Sequence, residues 1–467
     1  METIIAEIAE NFIKNICEKL TSGKNFSEIE ENLLEEAKNC ASELVSAYAE
    51  AVDEQLLAAK SERKTAGYTV QRRGDERRLQ TRLGEVAYRR AYYKKASGGY
   101  EYLTDAVLGV ESRERVSEGL SLSLANAAKD MSYAKSSKHV ADGAISRQTV
   151  MGMVRRSEAV VEIPAEKRCV PELHIDADEA HITTVKGKKR EVPLISIYEG
   201  IEQKGKRNRC KNVFHISEYG KKPDDLWEQA LTEIEKRYDL TGTKIYLHGD
   251  GANWIQSGLE WLPNACFVLD KYHKNKAIKA MAAGLSKPDR KIYDREIRFA
   301  LSTEEMRFFD ELTGSLCRQL PERAEKIVEN ACYLSNFVGG ISICERDPGA
   351  NNGGCTEPHV SHVLAARLSS RPMAWSRQTL QKLAPVLAAG KLSFHRQSEP
   401  LPLPVPHAPW IAPLRKAAVS VANKGFRRGV SRFALSAKRP FPHPNAIGTL
   451  PISGKTSGLH KFFLALS

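Results

Sequence analysis

Carboxylates recur at points where the sequence predicts that buried strands end. In HIDADEAHI (174–182), Asp176 and Asp178 alternate with apolar residues, so the two-residue period of a strand places both acids on one face. In IYLHGDGANWI (245–255), Asp250 follows an apolar run and is flanked by two glycines. Because Asp-Gly is a frequent turn dipeptide, an ordinary turn is the alternative interpretation of the second stretch.

Acids in this arrangement are suited to binding divalent cations. Buried carboxylates are costly unless a cation compensates them, and open sheets tend to hold metal groups at the carboxyl ends of their strands. Two Mg²⁺ or Mn²⁺ ions about 3.5–4 Å apart can activate a water molecule and stabilise the leaving oxygen in phosphodiester cleavage. We therefore predict a two-ion centre on Asp250 and either Asp176 or Asp178.

A third carboxylate usually completes a centre of this kind. The stretch GGCTEPHVSHVLAARLSSRPMAWS (353–376) supplies Glu357, and Pro358 suits the first turn of a helix that begins there. Glu345 competes for the role, since it also follows an apolar, strand-like run. We predict Glu357 as the third ligand.

The elements that would position these acids alternate along the second half of the chain. Three apolar-rich strands precede a helix that starts at Pro223, a strand over 244–248 and a short strand that ends at Asp270. Three meandering strands followed by alternating units are what a ribonuclease-H-like fold requires. We predict an α+β or α/β catalytic core of this type over residues 170–376, with a helical insertion over about 273–335.

Residues 1–62 are predicted to form amphipathic helices. Ser27 followed by Glu30 has the spacing of a capping box, and apolar residues recur behind it at helical intervals. An acidic helical segment of this kind is typical of a packing or dimerisation element.

The next segment, residues 63–95, is strongly basic. It holds 11 Lys and Arg against three acids, and its alternation predicts a β-hairpin. Arg89 and Arg90 are predicted to contact DNA phosphates, and the tyrosines beside them could bind phosphate or sugar. In the alternative interpretation the hairpin is a solvated ribbon whose tyrosines face the core.

A pair of helices is predicted within residues 132–157. The second helix carries Arg147 and Gln148 at its start and Arg155 near its end. A helix-turn-helix places the start of its second helix against base edges, and Arg and Gln can bind bases through two hydrogen bonds. Residues 63–160 are therefore predicted to be a DNA-binding region, with a plain helical corner as the alternative for the helix pair.

The C-terminal segment has an unusual composition. From Arg377 to the end there are 14 Lys and Arg and one acid, Glu399, whereas the rest of the chain has 56 basic and 57 acidic residues. The same segment holds 11 of the 21 prolines. Residues 377–467, or the part of them from roughly 390 onward, are predicted to be an atypical tail: either out-of-frame or otherwise foreign sequence, or a disordered basic arm that binds DNA.

Other features exclude several classes of protein. No run of about 18 apolar residues occurs, so no membrane span is predicted, and the start lacks the regions of a signal peptide. Nine cysteines are scattered without paired spacing, which indicates reduced thiols. We therefore predict a cytoplasmic protein with no membrane partner.

Four motifs, in this order, resemble those of a known family. IDADEAHI, LHGDGANWI, VLDKYHKNKAI and GCTEPHVSHVLAARLSSRPMAWS are similar to motifs of the ISLre2 family of bacterial insertion-sequence transposases (UPF0236-type), a group similar to Mutator-like DDE transposases. The resemblance extends to Ser376, about four-fifths of the chain. It implies that Asp178, Asp250 and Glu357 form a DDE triad. Asp178 is preferred to Asp176 because the family's first motif centres on an Asp-Glu pair.

The resemblance also implies auxiliary residues. DKYH, from Asp270 to His273, is similar to an element that Mutator-like enzymes carry after their second aspartate. His273 would then contact DNA or the scissile phosphate; alternatively, it only begins a helix. Arg367 and Arg371 lie one helical turn apart after Glu357, where they could neutralise phosphate or pair with surface acids.

The expected function is that of a DNA transposase in the bacterial cytoplasm, associated with the nucleoid. It would bind double-stranded DNA at the ends of its insertion sequence, cut it with two Mg²⁺ or Mn²⁺ ions, and join the released 3′-hydroxyl to target DNA. Two ends must be held together, so a homodimer or larger assembly is expected. The alternatives are a catalytically inactive, transposase-derived DNA-binding protein and a metal-dependent nuclease of the same fold.

Overall fold

The chain forms two compact units, one up to residue 121 and the other over residues 122–394. The computed structural model describes residues 2–22, 25–204, 207–371 and 373–394. The division falls inside the predicted DNA-binding region 63–160, so the basic hairpin belongs to the first unit and the helix pair to the second. The domain boundaries predicted from composition therefore do not coincide with the division.

The first unit combines long helices with a small antiparallel sheet of order β1-β2-β3. Its elements are α1 (Glu2–Ser22), α2 (Phe26–Ala58), α3 (Lys60–Thr65), β1 (Tyr68–Thr81), β2 (Gly84–Lys95), β3 (Tyr100–Glu101) and α4 (Leu103–Leu108). The predicted helices and hairpin are confirmed. The predicted capping box is wrong, because Asn25 is the N-cap of α2 and its side chain accepts a hydrogen bond from the N–H of Glu28 at 3.0 Å.

Helix α2 is fixed on the hairpin by apolar contacts and one buried carboxylate. Val52 and Leu56 recur one turn apart and join the buried cluster of the sheet. Asp53 is 7% exposed, and its Oδ1 accepts hydrogen bonds from the N–H of Ala91 at 2.8 Å and the hydroxyl of Thr104 at 2.6 Å. The carboxylate thus satisfies donors on two neighbouring elements.

The tyrosines of the hairpin contribute to the core. Tyr68, Tyr88 and Tyr93 are buried, and Tyr93 packs in the same cluster as α2. This arrangement agrees with the alternative interpretation, in which the tyrosines face the core. The exposed basic side chains of the strands, such as Arg78 and Arg89, lie on the surface.

The second unit is built on a five-stranded sheet of order β10-β7-β6-β12-β13. Its strands β10, β7 and β6 are antiparallel, whereas β6, β12 and β13 are parallel. The strands of the unit are β4 (Glu158–Ala159), β5 (Arg168–Cys169), β6 (Glu172–Thr183), β7 (Lys189–Tyr198), β8 (Ile201–Lys204), β9 (Arg207–Cys210), β10 (Phe214–Ile216), β11 (Tyr238–Asp239), β12 (Lys244–Gly249), β13 (Ala265–Leu269) and β14 (Leu392–Ser393). Numbered by their order along the chain, the five strands of the sheet lie 3-2-1-4-5.

Helices surround this sheet, and none of those that the structure describes is long and apolar enough to cross a membrane. The α-helices are α5 (Glu118–Asp130), α6 (Tyr133–Ala141), α7 (Arg147–Arg156), α8 (Pro223–Glu235), α9 (Asn253–Gln256), α10 (Gly258–Trp261), α11 (Lys271–Met281), α12 (Lys287–Ser302), α13 (Met306–Gln319), α14 (Ala324–Asn336), α15 (Val338–Arg346), α16 (Thr356–His359), α17 (Ala366–Leu368) and α18 (Arg377–Ala389). A π-helical stretch, Val360–Ala365, joins α16 to α17, and short 3₁₀ turns cover Pro321–Arg323 and Pro348–Asn352. The predicted helix pair, strands and helical insertion are confirmed, and the insertion continues to Arg346.

The two faces of strand β6 have different surroundings. Leu173, Ile175 and Ala177 point into an apolar core that includes Trp227 of α8. The alternate residues of the same strand carry polar side chains. The period of two therefore separates an apolar face, which holds the sheet on its helix, from a polar face on which the candidate site is built.

The atypical tail begins later than predicted. Helix α18 packs Leu380 and Leu383 in the interior of the second unit, and β14 pairs with β4. The boundary predicted at residue 377 is therefore wrong, since the sequence through residue 394 is part of this unit. The rest of the predicted tail, residues 395–467, lies outside the described residues.

Replacing Asp53 with Ala is expected to lower the free energy of unfolding by about 2–3 kcal/mol, because the N–H of Ala91 loses its buried acceptor. Urea denaturation, followed by a signal that reports unfolding of the first unit, measures this change in the free energy of unfolding. Glu54→Ala is the matched control, since Glu54 is the next residue of α2 and is exposed. Equal losses for the two variants would contradict the role given to the Asp53 carboxylate.

Candidate active site

Two of the predicted carboxylates lie on neighbouring parallel strands: Asp178 within β6 and Asp250 directly after β12. In the register of the sheet, His248 of β12 is opposite Asp176 of β6. Continuing that register by two residues places Asp250 beside Asp178. These two carboxylates of the predicted triad therefore stand at one edge of the sheet.

Hydrogen bonds to both the side chain and the backbone of Asp250 hold the turn that carries it. Its Oδ1 accepts a hydrogen bond from the N–H of Ala252 at 2.9 Å, and its carbonyl oxygen accepts one from the Tyr333 hydroxyl at 2.7 Å. Gly251 has a φ of +93°, and a Cβ there would lie 2.2 Å from the ring of Phe337. Glycine is required because both the backbone angle and the close ring exclude a side chain. The helical insertion thus positions the second aspartate.

Glu357 is positioned by the backbone that precedes it. The N–H of Cys355 donates to Asp176 Oδ2 at 2.8 Å, and the N–H of Gly354 donates to the Tyr198 hydroxyl at 2.9 Å. A Cβ at Gly353 would lie 2.4 Å from ring nitrogens of two buried histidines, so the chain passes closely over the polar face of the sheet. Helix α16 then leaves the Glu357 side chain exposed.

Asp176 is buried, and donors from neighbouring elements hold its carboxylate. It is 1% exposed, and its two oxygens both lie 3.0 Å from the hydroxyl of Tyr198, which donates to the carboxylate. The Nδ1 of His359 lies 3.2 Å from its Oδ2. With the N–H of Cys355 as a further donor, the carboxylate is fully engaged, and it connects β6 to the helix of Glu357.

Two further histidines lie in the same buried layer. His174 Nδ1 and His248 Nε2 are 3.1 Å apart, which requires one ring nitrogen to donate and the other to accept. Burial lowers the pKa of His248 to about 4, so this ring is neutral at ordinary pH. The same cause lowers the pKa of His215 to about 4. The layer beneath the carboxylates therefore contains neutral rings that provide hydrogen bonds without adding charge.

The electrostatics of Asp178 indicate mutual repulsion within the triad. The pKa of Asp178 is raised to about 6, mainly by burial and to a smaller extent by the charges of Asp250 and Glu357, while the N–H of Glu179 and the charge of His273 oppose the rise. The Glu179 N–H donates to Asp178 Oδ1 at 2.8 Å. The charges of Asp250 and Glu357 thus both act on Asp178.

Glu179 is a fourth acid at this edge, to which the sequence prediction gave no role. Its pKa is raised to about 7, mainly by burial and to a smaller extent by the charges of Asp178 and Asp250, while the indole N–H of Trp254 donates to it and opposes the rise. Its carboxyl group points toward the segment after Asp250.

Asp270 and His273 form an ion pair beside the triad. Asp270 is the N-cap of α11 and accepts hydrogen bonds from the N–H groups of Tyr272 and His273, and its Oδ2 is 3.2 Å from His273 Nδ1. Burial opposes ionisation of Asp270, but His273 outweighs it and lowers the pKa. Asp270 in turn raises the pKa of His273, with smaller contributions from Asp250 and Asp178. The raised pKa of His273 favours its protonated form, beside the Asp270 carboxylate.

Glu345, the competitor of Glu357, lies on a different element. It is exposed near the end of α15, where it acts on the pKa of Lys274. The structure therefore favours Glu357 as the acid that accompanies Asp178.

The donor chemistry fits divalent magnesium or manganese. Among the described residues, no group of three or more His, Cys, Asp or Glu side chains is already arranged to hold a metal ion. Mg²⁺ does not need such a cage, because it is usually bound by one or two carboxylates together with substrate phosphates. Asp178, Asp250 and Glu357 supply oxygen donors only, and a cation would relieve the repulsion that raises the Asp178 pKa.

The residues predicted to bind DNA in the second unit have different environments. Arg147 and Gln148 are exposed at the start of α7, and Arg371 is also exposed. Arg155 already binds inside the unit, since its guanidinium donates to Thr379 Oγ1 and Ser376 Oγ, both at 3.0 Å. Its prediction as a DNA contact is corrected, because those donors join α7 to the N-terminus of α18.

Arg367, predicted to lie near substrate phosphate, is also internal. It is 5% exposed, its Nε donates to the carbonyl of Ala128 at 2.8 Å, and its guanidinium stacks over Trp375 at 4.7 Å. Neither of the two predicted roles for Arg367, neutralising phosphate or pairing with surface acids, describes this environment.

In the first unit, only one of the two predicted arginines is available. Arg89 is exposed, whereas Arg90 is 5% exposed, pairs with the buried carboxylate of Asp105 and stacks over Tyr102 at 3.6 Å. The DNA-binding prediction for Arg90 is wrong, because alternation along β2 turns this residue to the core.

Comparison with known proteins places the chain in a family. The model of an uncharacterised protein family, UPF0236, matches residues 19–398, and the chain belongs to this family. A UPF0236 protein of Caldanaerobacter subterraneus subsp. tengcongensis is 35% identical over 394 residues, covering 82% of this chain and 83% of the relative. Another from that organism, whose name joins eleven locus designations, is 36% identical over 395 residues, 82% of each chain. A Streptococcus gallolyticus protein, described as a UPF0236 protein in vanSb 3'region, is 24% identical over 402 residues, covering 82% of this chain and 87% of the relative.

Replacing Asp178 with Asn is expected to stabilise the metal-free protein by about 2 kcal/mol at pH 8, because the variant removes an ionised, partly buried carboxylate. The folded chain keeps a proton on Asp178 up to about pH 6, whereas the unfolded chain loses it near pH 3.8, so stability is lost as the pH rises through 6. Urea denaturation should show the full gain at pH 8, about half of it at pH 5, and little difference at about pH 3.5, below the unfolded pKa.

Asp176→Asn is the matched control, with the opposite sign. An amide would turn an N–H group toward the Tyr198 hydroxyl or the Cys355 N–H, so we expect a loss of about 3 kcal/mol at pH 8. If both variants changed stability in the same direction, the separation of a structural Asp176 from a ligand Asp178 would fail.

Proposed function

We propose that this chain is a DDE-type DNA transposase with Asp178, Asp250 and Glu357 as its triad. The proposal rests on one observation: Asp178 lies on β6, Asp250 directly follows the neighbouring parallel strand β12, and the charge of Glu357, from a separate helix, acts on Asp178. The strand order 3-2-1-4-5, with three antiparallel strands followed by parallel ones, supports assigning the second unit to the ribonuclease-H-like folds.

Phosphodiester cleavage is the chemistry that this donor set suits. When bound, two Mg²⁺ or Mn²⁺ ions supply activation of the attacking water and stabilisation of the leaving oxygen. The chain's own contribution is to fix two of the three carboxylates in advance: the Glu179 N–H holds Asp178, and the Ala252 N–H holds Asp250. Such preorganisation avoids rearrangement during the reaction. The 3′-hydroxyl released at an element end would then attack target DNA.

His273 has a supporting role in this proposal. Its raised pKa favours the imidazolium form, and the Asp270 carboxylate fixes one side of the ring. A cation at this position suits a phosphate oxygen of the scissile strand. Asp270 would act only through His273, as a positioning residue.

Double-stranded DNA is the proposed partner. Arg147 and Gln148 are exposed at the N-terminus of α7, where side chains of a helix-turn-helix reach base edges, and Arg89 and Arg371 are exposed cations that suit phosphates. Holding two element ends requires two active sites, so we propose a homodimer or larger assembly, in association with the nucleoid.

The similar proteins support the proposal that this chain is encoded by a mobile DNA element. One UPF0236 relative carries eleven locus designations in a single organism. Repeated copies of one gene are what transposition leaves in a genome, and a chain 36% identical to that relative is expected to share its activity.

The test is Mg²⁺-dependent cleavage and joining of a labelled duplex that carries the flanking ends of the element. The intact chain and a chain truncated after residue 394 are expected to cut at the element end and yield joined product. Asp250→Asn should lower the rate at least 1,000-fold, about 4 kcal/mol of transition-state stabilisation. Glu345→Gln, an exposed acid on α15, should cut at the normal rate.

Other outcomes identify the alternatives. Cutting without joined product would favour a nuclease of the same fold. Binding without cutting by both the intact and truncated chains would favour an inactive, transposase-derived DNA-binding protein.

A further inference from the structure

A basic groove begins next to the candidate active site. It encloses about 860 Å³ and starts at Glu179, the neighbour of Asp178 on β6. From there it follows the extension of the β6–β7 hairpin. The strand runs five residues beyond Asp178 to Thr183, a length of about 17 Å. The groove is therefore long enough to hold an extended polymer that passes through the site.

The far wall of the groove is firmly built. The N–H of Val185 in the hairpin loop donates to the carbonyl of Trp375 at 3.1 Å, and the N–H of Trp375 donates to the carbonyl of Thr183 at 3.0 Å. The Trp375 indole donates to the carbonyl of Leu368 at 2.8 Å. These bonds fix the loop relative to the segment that follows α17.

Positive charge dominates the lining. Five exposed cations line the groove, against the two acids Glu179 and Glu191. The cations come from the hairpin, from the segment before α8 and from the start of α18: Lys186, Lys188, Arg190, Lys221 and Arg377. Cations at this density suit a chain of phosphates.

Aromatic rings lie among these cations. Tyr219 and Trp254 are half-buried in the lining, and Trp254 is fixed by its hydrogen bond to Glu179 and by stacking on Trp227 at 6.1 Å. In a duplex the faces of the bases are covered by their neighbours, so rings in a groove can stack only on bases that have left the helix. The combination of cations and aromatic rings is typical of single-strand binding.

We propose that this groove binds a single-stranded segment of the DNA substrate, with its phosphates on the hairpin cations and its unpaired bases on Tyr219 and Trp254. This inference rests on the proposed function, because the groove is lined by Glu179, the residue that follows Asp178 on β6. One strand would pass from the carboxylates along the hairpin while its complement is displaced. The groove thus accounts for how a scissile phosphate is drawn out of a duplex to the edge of the sheet.

The first test measures binding of a fluorescently labelled single-stranded oligonucleotide by anisotropy, in EDTA and on an Asp250→Asn background. Lys188→Gln/Arg190→Gln is expected to weaken binding about tenfold and to reduce the slope of log K against log salt by about 1.4, since two phosphate contacts are lost. Lys189→Gln is the matched control. Lys189 lies between the two on β7 and is absent from the lining, so both quantities should stay unchanged.

A second pair of variants tests the stacking. Tyr219→Ala is expected to lower the single-strand affinity at least fivefold, whereas Tyr219→Phe keeps the ring and should bind as the parent does. Affinity for a blunt duplex of the same sequence should change less than twofold in all of these variants.

Two results would overturn the proposal: equal effects of Lys189→Gln and the double variant, or equal effects on single strand and duplex. Failure of the proposed function is separable, because these binding assays involve no cleavage. Normal groove effects in a chain that never cuts DNA would leave the groove in place and reject the transposase.

Discussion

The arrangement of the site depends on one buried carboxylate. Asp176 sits on the polar face of the central strand with 1% of its surface exposed, and a charge in that position must be met by donors. Those donors are the Tyr198 hydroxyl from the next strand and the N–H of Cys355 from the segment before α16. By satisfying Asp176, the chain brings the Glu357 helix against β6. The distance between the first and third acids of the triad follows from this bond.

Strand β6 carries two aspartates, Asp176 and Asp178, that look equivalent in the sequence but have different surroundings in the structure. Asp176 and Asp178 share a face about 6–7 Å apart, yet one has every oxygen engaged and the other accepts only a neighbouring N–H. A carboxylate whose oxygens all accept hydrogen bonds stabilises the fold. A carboxylate with few donors and with acidic neighbours is instead repelled by the charges of those neighbours. That repulsion is a cost in the absence of cations, and it is the property that a metal-dependent site requires.

The local sequence pattern was sufficient to predict the strands that carry the site and the order of the acids along them. Alternation in 172–183 predicted β6 and put both aspartates on one face, and the apolar run before Asp250 predicted β12. Pattern was insufficient where the outcome depends on tertiary partners. Nothing in the sequence near Arg90 shows that Asp105 will pair with it.

Three further differences have the same origin. Asn25 and Ser27 are both good N-cap residues, and the choice is made by where α2 can start. The amino-acid composition suggested that foreign sequence starts at residue 377. However, the apolar residues of α18 pack in the interior of the second unit, and the family match extends to residue 398. Glu179 was visible in the sequence as the second half of an Asp-Glu pair, but its contact with Trp254 depends on the fold.

The most direct test of the central claim is a titration with Mn²⁺, followed by the loss of the free-ion signal in electron paramagnetic resonance. The intact chain is predicted to bind Mn²⁺, and Asp178→Asn, Asp250→Asn and Glu357→Gln should each weaken binding at least tenfold. Glu345→Gln should bind as the intact chain does, because Glu345 lies near Lys274 on α15. Unchanged Mn²⁺ binding in Glu357→Gln, or no binding by the intact chain at millimolar Mn²⁺, would contradict the assignment of these three acids as one metal site.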